Sequence, residues 1–244
     1  MASKTDIQIG EAWDATSIDM PASPAYGVVH LWRRTLHASA AEVNSCYGLL
    51  SNEEKERTLR FRIDRPRRDF VLTRGTLRLL LAGYLGSTPQ HVRLRNAANG
   101  KPFLEGENDL CFNVSHTDGL AVLAFVRGLA IGVDIEQQSH KVEAKDLAER
   151  FFSKRERDDL KDLHGDELRA AFWRCWTRKE AYIKARGEGL SLPLHQFDVS
   201  VAQDECRLLA TRPDPSEAGR WTLCDLAVCH GYAAALALAK TTED

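Results

Sequence analysis

Apolar positions along this chain repeat with two different periods, and the changes of period mark out its elements. The run VVHLWR at 28–33 predicts a first strand, after an opening rich in Ser, Ala, Asp and Pro that is expected to run over the surface. Ser51 with Glu54 three residues later forms a capping box and predicts a short helix carrying Arg57 and Arg60, which Pro66 ends or restarts. From there to Gly86 the pattern is helical, with Phe70, Leu77, Leu81 and Tyr84 inward and Arg67, Arg74 and Arg78 forming a positive stripe beside them. Short strands follow: VRLR at 92–95, a turn through Asn99 and Gly100, then CFNVS, LAVLAFV and LAIGVDIE, read as an antiparallel meander. Helical periods return over 145–152, after a second capping box at Ser153 and Glu156, and in the long stretch 172–190. FDVSVA, WTLCDLAV and YAAALALA close the chain as strands.

This order suggests two α+β halves. A weak internal echo supports them. Ser87-Thr-Pro89-Gln-His91 resembles Ser191-Leu-Pro193-Leu-His195, and SHTDGLAVLAFV at 115–126 resembles CHGYAAALALA at 229–239. The two proline landmarks lie 104 residues apart and the histidines of the second pair 114, so one half must carry extra residues.

Composition narrows the picture only a little. A length of 244 residues with 43% hydrophobic content suits one large domain or two small ones. The formal net charge of -2 argues against a surface that traps nucleic acid as a whole, although eight arginines face only Asp64 and Asp69 between Arg57 and Arg78. Six scattered cysteines, with no CxxC pair, read as reduced structural residues. With no signal-peptide pattern and no run of about eighteen apolar residues, the expectation is a soluble, cytoplasmic protein.

The chemistry concentrates in two elements. On the helix, Trp173, Trp176, Ile183 and Gly187 recur at the spacing of a buried face with Glu180 among them. A carboxylate there is protonated, matched to a cation such as Lys184 one turn on, or coordinated to a metal; the plain alternative is a solvated i,i+4 pair. In LAIGVDIE, Gly132, Asp134 and Glu136 share one strand face. Alternate residues lie about 6.6–7 Å apart, which suits two carboxylates facing one hard cation, with small Gly132 leaving room for a ligand. A solvated acidic face is the alternative. Oxygen ligands alone favour Mg²⁺, whose shell is completed by waters and substrate phosphate. The groups available to a phosphate are the arginine-rich segment, Lys101 in NGKPFL, and Ser115 and His116 in FNVSH, each of which also has an ordinary structural reading.

Taken in order, GKP, FNVSH, IGVDIE, FFSKRE and WTRKEAYIKARGEGLSLPL resemble the 4'-phosphopantetheinyl transferases of the larger, surfactin-synthetase-activating (Sfp-like) type, over about residues 51–199. The resemblance implies an α+β fold, a pseudo-dimer of two similar α/β halves in one chain. Residues 1–131 would bind the adenosine 3'-phosphate end of coenzyme A, and 132–244 would carry the metal and catalytic residues. It further implies that Asp134, Glu136 and Glu180 surround Mg²⁺, or Mn²⁺ in its place, and that Lys184 sits by the transferring phosphate. Lys101, Ser115 and His116 would hold the 3'-phosphate and adenosine, assisted by Arg57 or Arg60, with Arg67 and Arg74 as competitors. The implied reaction moves phosphopantetheine from coenzyme A to a serine of an apo acyl or peptidyl carrier protein of fatty-acid, polyketide or nonribosomal-peptide synthesis. The implied enzyme is a cytoplasmic monomer without nucleic-acid or membrane partners. Rival readings are a nucleic-acid-binding module built on the Arg57 to Arg78 stripe and a non-catalytic coenzyme A-binding protein.

Overall fold

The computed structural model describes residues 8–9, 13–15, 22–97, 100–106, 108–139, 143–187 and 192–240. Its first run of elements is β1 (Gln8–Ile9), β2 (Trp13–Asp14), β3 (Val28–Thr35), α1 (Ala40–Gly48), α2 (Asn52–Thr58), α3 (Asp64–Leu85), β4 (Leu94–Asn96), β5 (Pro102–Leu104), β6 (Leu110–Thr117) and β7 (Leu120–Arg127). The second is β8 (Ile131–Gln137), α4 (Ala144–Phe151), α5 (Lys154–Leu160), α6 (Gly165–Arg186), β9 (Phe197–Val199), β10 (Leu208–Thr211), β11 (Trp221–Asp225) and β12 (Tyr232–Ala239).

From β3 onward the two runs repeat one plan. A strand leads through two short helices to a 22-residue helix. That helix ends on a left-handed glycine, Gly86 (φ 59°) in one case and Gly187 (φ 72°) in the other, the conformation only glycine adopts without strain. A short 3₁₀ turn and two strand pairs complete each run. Pairing repeats as well: β3 lies antiparallel to β7 and β7 to β6, while β8 lies antiparallel to β12 and β12 to β11. The fold is therefore α+β in two similar halves. Among the described residues, only the second half has a 3₁₀ segment between its two strand pairs, at Pro215–Arg220, which helps to account for the unequal landmarks of the echo. Ser191 and Asn99 lie outside the described residues.

Each long helix covers the outer face of its sheet. Leu77, Leu80 and Leu81 of α3 pack with Trp32, Phe112 and Phe125, and Phe172, Ile183 and Tyr182 of α6 pack in a core with Phe197, Ala235 and Ala237. A third apolar cluster joins the sheets, Val29, Leu31, Val122 and Ala124 from one and Ile131, Val133, Ile135 and Leu236 from the other. This last cluster corrects the expected meander, which ends at β7. After the turn at Gly128 (φ 68°) the chain leaves that sheet, so the odd-numbered face of β8 packs against β3 and β7 instead of extending them edge to edge.

Further differences are local. Helix α1 was not expected from the periodicity, although Ser39 and Glu42 form the capping box that announces it. VRLR is shorter as a strand than expected, because Val92 ends a 3₁₀ turn and is buried beneath α3. All six cysteines are free. No helix among the described residues is long and apolar enough to cross a membrane.

Candidate active site between the two halves

Among the described residues, strand β8 is paired in a sheet along one edge, to β12. Its other edge is met by side chains. Asn113, Ser115 and Thr117, alternate residues of β6, accept from the backbone N–H groups of Val133 (2.8 Å), Ile135 (3.4 Å) and Gln137 (3.5 Å). Two of these side chains also donate to the acidic residues: Ser115 Oγ to Asp134 Oδ1 (2.9 Å) and Thr117 Oγ1 to Glu136 Oε2 (3.1 Å). The polar face of one half thus holds the acidic strand of the other.

Helix α6 closes over the same strand. Gly132 permits this approach: a β-carbon there would collide with the Ala181 carbonyl oxygen and the Ala185 amide nitrogen. The space expected for a ligand beside Gly132 is filled by the α6 backbone. Lys184 reaches from α6 to Asp134 Oδ1 (2.6 Å) and Ser115 Oγ (2.8 Å). An ammonium has three donors, and the third is uncommitted among the described residues. Lys184 therefore pairs with Asp134, and reaches Glu180 only through its field.

The carboxylates are held in mutual repulsion. Asp134 is 3% exposed, and its Oδ2 is buried without a hydrogen-bond partner among the described residues. Burial, and after it the charge of Asp134, pushes the Glu136 carboxyl up to about 7, with Glu180 adding to the push and Thr117 and Lys184 opposing it. Glu180 is likewise raised, by burial and then by Asp134, against the pull of Lys184. No group of three or more His, Cys, Asp and Glu side chains converges into a ready metal cage among the described residues. What exists is a set of hard oxygen donors in which Asp134 raises the proton affinity of both glutamates, with one buried oxygen left over. That donor set fits a hard divalent cation and disfavours a soft one.

The remaining sequence-derived residues divide. Lys101 donates to the backbone carbonyls of Lys184 (2.6 Å) and Ile131 (3.2 Å), tying the end of α6 to the start of β8. Exposed His116, next to Ser115, is held below the ordinary imidazole range by desolvation, with Asp69 opposing the shift and Lys184 adding to it. Arg57 and Arg60 line a separate open groove of about 660 Å³ with Phe61, Asn96, Glu53 and Glu56, and Arg57 also lies over the Phe70 ring. Arg67 pairs with Asp64 on the surface.

The expected positive stripe is not one face. Arg74 lies 3.6 Å from Glu54, and Arg78, 3% exposed, donates to Glu54 (2.5 Å) and to the carbonyls of Pro89 and Val92. Only Arg67 of that trio stands on the surface, because Glu54 draws the other two into the protein.

Two buried charges escaped the sequence reading, which singled out Glu180. Arg178 and Lys179 beside it are both fully buried, whereas Glu180 is half-buried. Lys179 bonds Glu156 (2.5 Å) and the Phe197 carbonyl (2.7 Å), and Arg178 forms a two-pronged pair with Asp225 (2.8 and 2.6 Å). The signal was present in the capping box: Glu156 caps α5 with one oxygen, which leaves the other to satisfy a cation. Asn113 and Thr117 were also passed over, although they flank Ser115 at strand spacing.

Two similar halves thus bring carboxylates and a lysine together where they meet. The chain matches the 4'-phosphopantetheinyl transferase superfamily over residues 130–237 and the N-terminal 4'-phosphopantetheinyl transferase family over residues 34–127. It is 36% identical over 214 residues to the 4'-phosphopantetheinyl transferase HetI of Nostoc sp., covering 86% of this chain and 87% of that one. It is also 34% identical over 155 residues to the 4'-phosphopantetheinyl transferase Sfp of Bacillus subtilis, covering 64% and 68%. The likeness to the mouse L-aminoadipate-semialdehyde dehydrogenase-phosphopantetheinyl transferase is 29% over 209 residues, covering 77% and 66%. The chain belongs to the 4'-phosphopantetheinyl transferase family, and it is an enzyme.

Proposed function

We propose that this enzyme moves the 4'-phosphopantetheine group of coenzyme A onto a serine hydroxyl of an apo acyl or peptidyl carrier protein and releases adenosine 3',5'-bisphosphate. The observation that carries the reading is the buried Asp134 Oδ2, without a hydrogen-bond partner among the described residues, beside two glutamates whose proton affinity Asp134 raises. Asp134, Glu136 and Glu180 would hold Mg²⁺, or Mn²⁺ in its place. Such an ion, when bound, neutralises charge on the pyrophosphate oxygens.

In the reaction the serine Oγ forms a bond to the β-phosphorus of coenzyme A, and the bond from that phosphorus to the bridging oxygen breaks. The electron pair leaves with the bisphosphate. Glu180, its carboxyl raised above the usual carboxylate range by burial and then by Asp134, takes the serine proton directly or through water. Lys184 turns its uncommitted N–H to a phosphate oxygen while Asp134 and Ser115 hold the other two. His116 faces the adenosine end of coenzyme A, backed by Ser115, whose hydroxyl already serves Asp134 and Lys184, and by the charge of Lys101, already spent on two carbonyls. Arg57 or Arg60 assists, supported by their shared groove on α2 and the turn after it.

The two-half build supports the larger Sfp-like type, although the likeness to HetI is higher and longer than that to Sfp. Because both halves of the site come from one chain, a monomer in the cytoplasm suffices. The division of labour follows the halves, with 1–131 toward the adenosine 3'-phosphate and 132–244 toward the metal.

Mass spectrometry of apo carrier proteins from fatty-acid, polyketide and nonribosomal-peptide synthesis, incubated with the enzyme, coenzyme A and Mg²⁺, tests this directly. A phosphopantetheine adduct on at least one carrier is expected; its absence from all overturns the reading. Asp134→Ala and Glu180→Ala should each lower transfer by at least about 10²-fold while the protein stays folded by circular dichroism. Unchanged turnover in either sinks the assignment.

A further inference from the structure

The side chains that β6 sends to β8 repeat one motif two residues apart. Ser115 accepts from the N–H of Ile135 and donates to Asp134; Thr117 accepts from the N–H of Gln137 and donates to Glu136. In both cases the bond to the carboxylate (2.9 and 3.1 Å) is shorter than the bond from the amide (3.4 and 3.5 Å), so the hydroxyls serve the acids first. Ser115 is shared, because Lys184 also donates to it. Among the described residues, Thr117 bonds the site's acids through Glu136 alone.

We propose that Thr117 is a positioning residue for the enzyme's reaction: its hydroxyl fixes the Glu136 carboxylate in the orientation that a divalent cation requires. This rests on the reading of Asp134 and Glu136 as cation ligands. The physical reason is geometric. Glu136 has one more rotatable bond than Asp134, is only half-buried and receives no bond from Lys184, so without Thr117 its carboxylate samples several rotamers. Asp134 needs no such help, being buried and held at Oδ1 by both Ser115 and Lys184. Asn113 continues the ladder onto the Val133 amide, where the preceding residue is Gly132 and no acid needs aiming. Its part is to lock the register of β6 against β8, which places Thr117 opposite Glu136.

The test uses the full chain and Mn²⁺ as the probe, with binding read by titration calorimetry in the presence of coenzyme A. Partners that orient a metal ligand typically set about 10 to 100-fold in metal affinity or activity. Thr117→Val, which keeps the shape and removes the donor, should weaken Mn²⁺ binding about 10-fold and lower kcat by a similar factor, with Tm and the KM for coenzyme A little changed. Thr117→Ser, which restores the donor, should return Mn²⁺ affinity to within a few-fold of the starting value. Mn²⁺ binding unchanged in Thr117→Val, or equally weakened in Thr117→Ser, overturns the proposal. Asp134→Asn separates this from the reading beneath it. If Asp134→Asn loses Mn²⁺ while Thr117→Val does not, only the positioning role fails; if neither loses it, or the unaltered chain binds none, the cation site itself fails and the inference with it.

Discussion

Strands β3 and β8 occupy corresponding places in the two halves and turn the same face to their long helices, but what stands on that face differs. In the first half the gap between strand and helix is filled: Trp32 and His30 of β3 both bond the Tyr84 hydroxyl of α3, at 2.7 and 2.9 Å. In the second half the strand offers Gly132, Asp134 and Glu136, the helix backbone moves in over the glycine, and Lys184 takes the Asp134 carboxylate. The outer edges differ in the same way. Backbone of β1 and β2 pairs with β3, whereas β8 is completed by the hydroxyls and amide of β6. One scaffold thus appears once as a finished core and once with polar groups left addressable, and the three carboxylates of the proposed site lie in the second copy.

What the copies share is the strut from the second short helix to the long one. Glu54 of α2 takes Arg78 of α3, and Glu156 of α5 takes Lys179 of α6, with Arg78 and Lys179 at the same position along their helices. Their burial differs. Both partners of the second strut are fully buried, whereas Glu54 is 13% exposed and Arg78 keeps two carbonyl partners. Glu156→Ala should therefore cost about 3–5 kcal/mol, because fully buried Lys179 loses its counter-charge and keeps the Phe197 carbonyl. Glu54→Ala should cost about 1–3 kcal/mol, since Arg78 remains hydrogen-bonded. Urea unfolding of both variants checks the order; a larger loss for Glu54→Ala would break the comparison.

Much of this was legible in the sequence and some was not, for identifiable reasons. The long helices, the capping boxes at Ser51 and Ser153 and the shared face of Asp134 and Glu136 follow from local periodicity and cap chemistry. The partner of β8 was not legible, because a run of Ile and Val alternating with small or acidic residues pairs equally well with β7 or β12; long-range packing decides it. Lys184 shows the same limit. Helical spacing puts it one turn from Glu180, but the crossing of α6 over Gly132 brings it to Asp134. The arginine stripe failed because Glu54, three residues into its own helix, turned out to be the partner of two of its members.

Gly132 provides a second, smaller way to break the contrast. Gly132→Ala places a methyl group where α6 backbone already lies, so the helix must move away from β8. Overpacking of this kind costs about 1–3 kcal/mol, and the displacement carries Glu180 and Lys184 away from Asp134. Transfer activity should fall by about 10²-fold or more, since misplacement of catalytic groups by 1 Å is worth about that much. Tm and transfer rate measured together decide it: a variant with lowered Tm and full activity would show that the close approach serves packing alone.

The smallest expected difference lies in the caps. Ser51 and Ser153 each accept from the backbone N–H of a glutamate three residues on, at 3.3 Å in both halves, so by local geometry they are equal. Their surroundings are not. Ser153 is 2% exposed, and its capping-box partner is the glutamate that neutralises Lys179. Ser51 is half-buried. Replacement of such a cap by alanine costs about 0.5–2 kcal/mol. Ser153→Ala should fall at the upper end, because it loosens Glu156 where the second strut admits no water, and Ser51→Ala near the middle. Chemical denaturation resolves a difference of about 1 kcal/mol between two variants of similar m-value. Equal losses would mean that the cap acts only on its own helix and that the second strut holds without it.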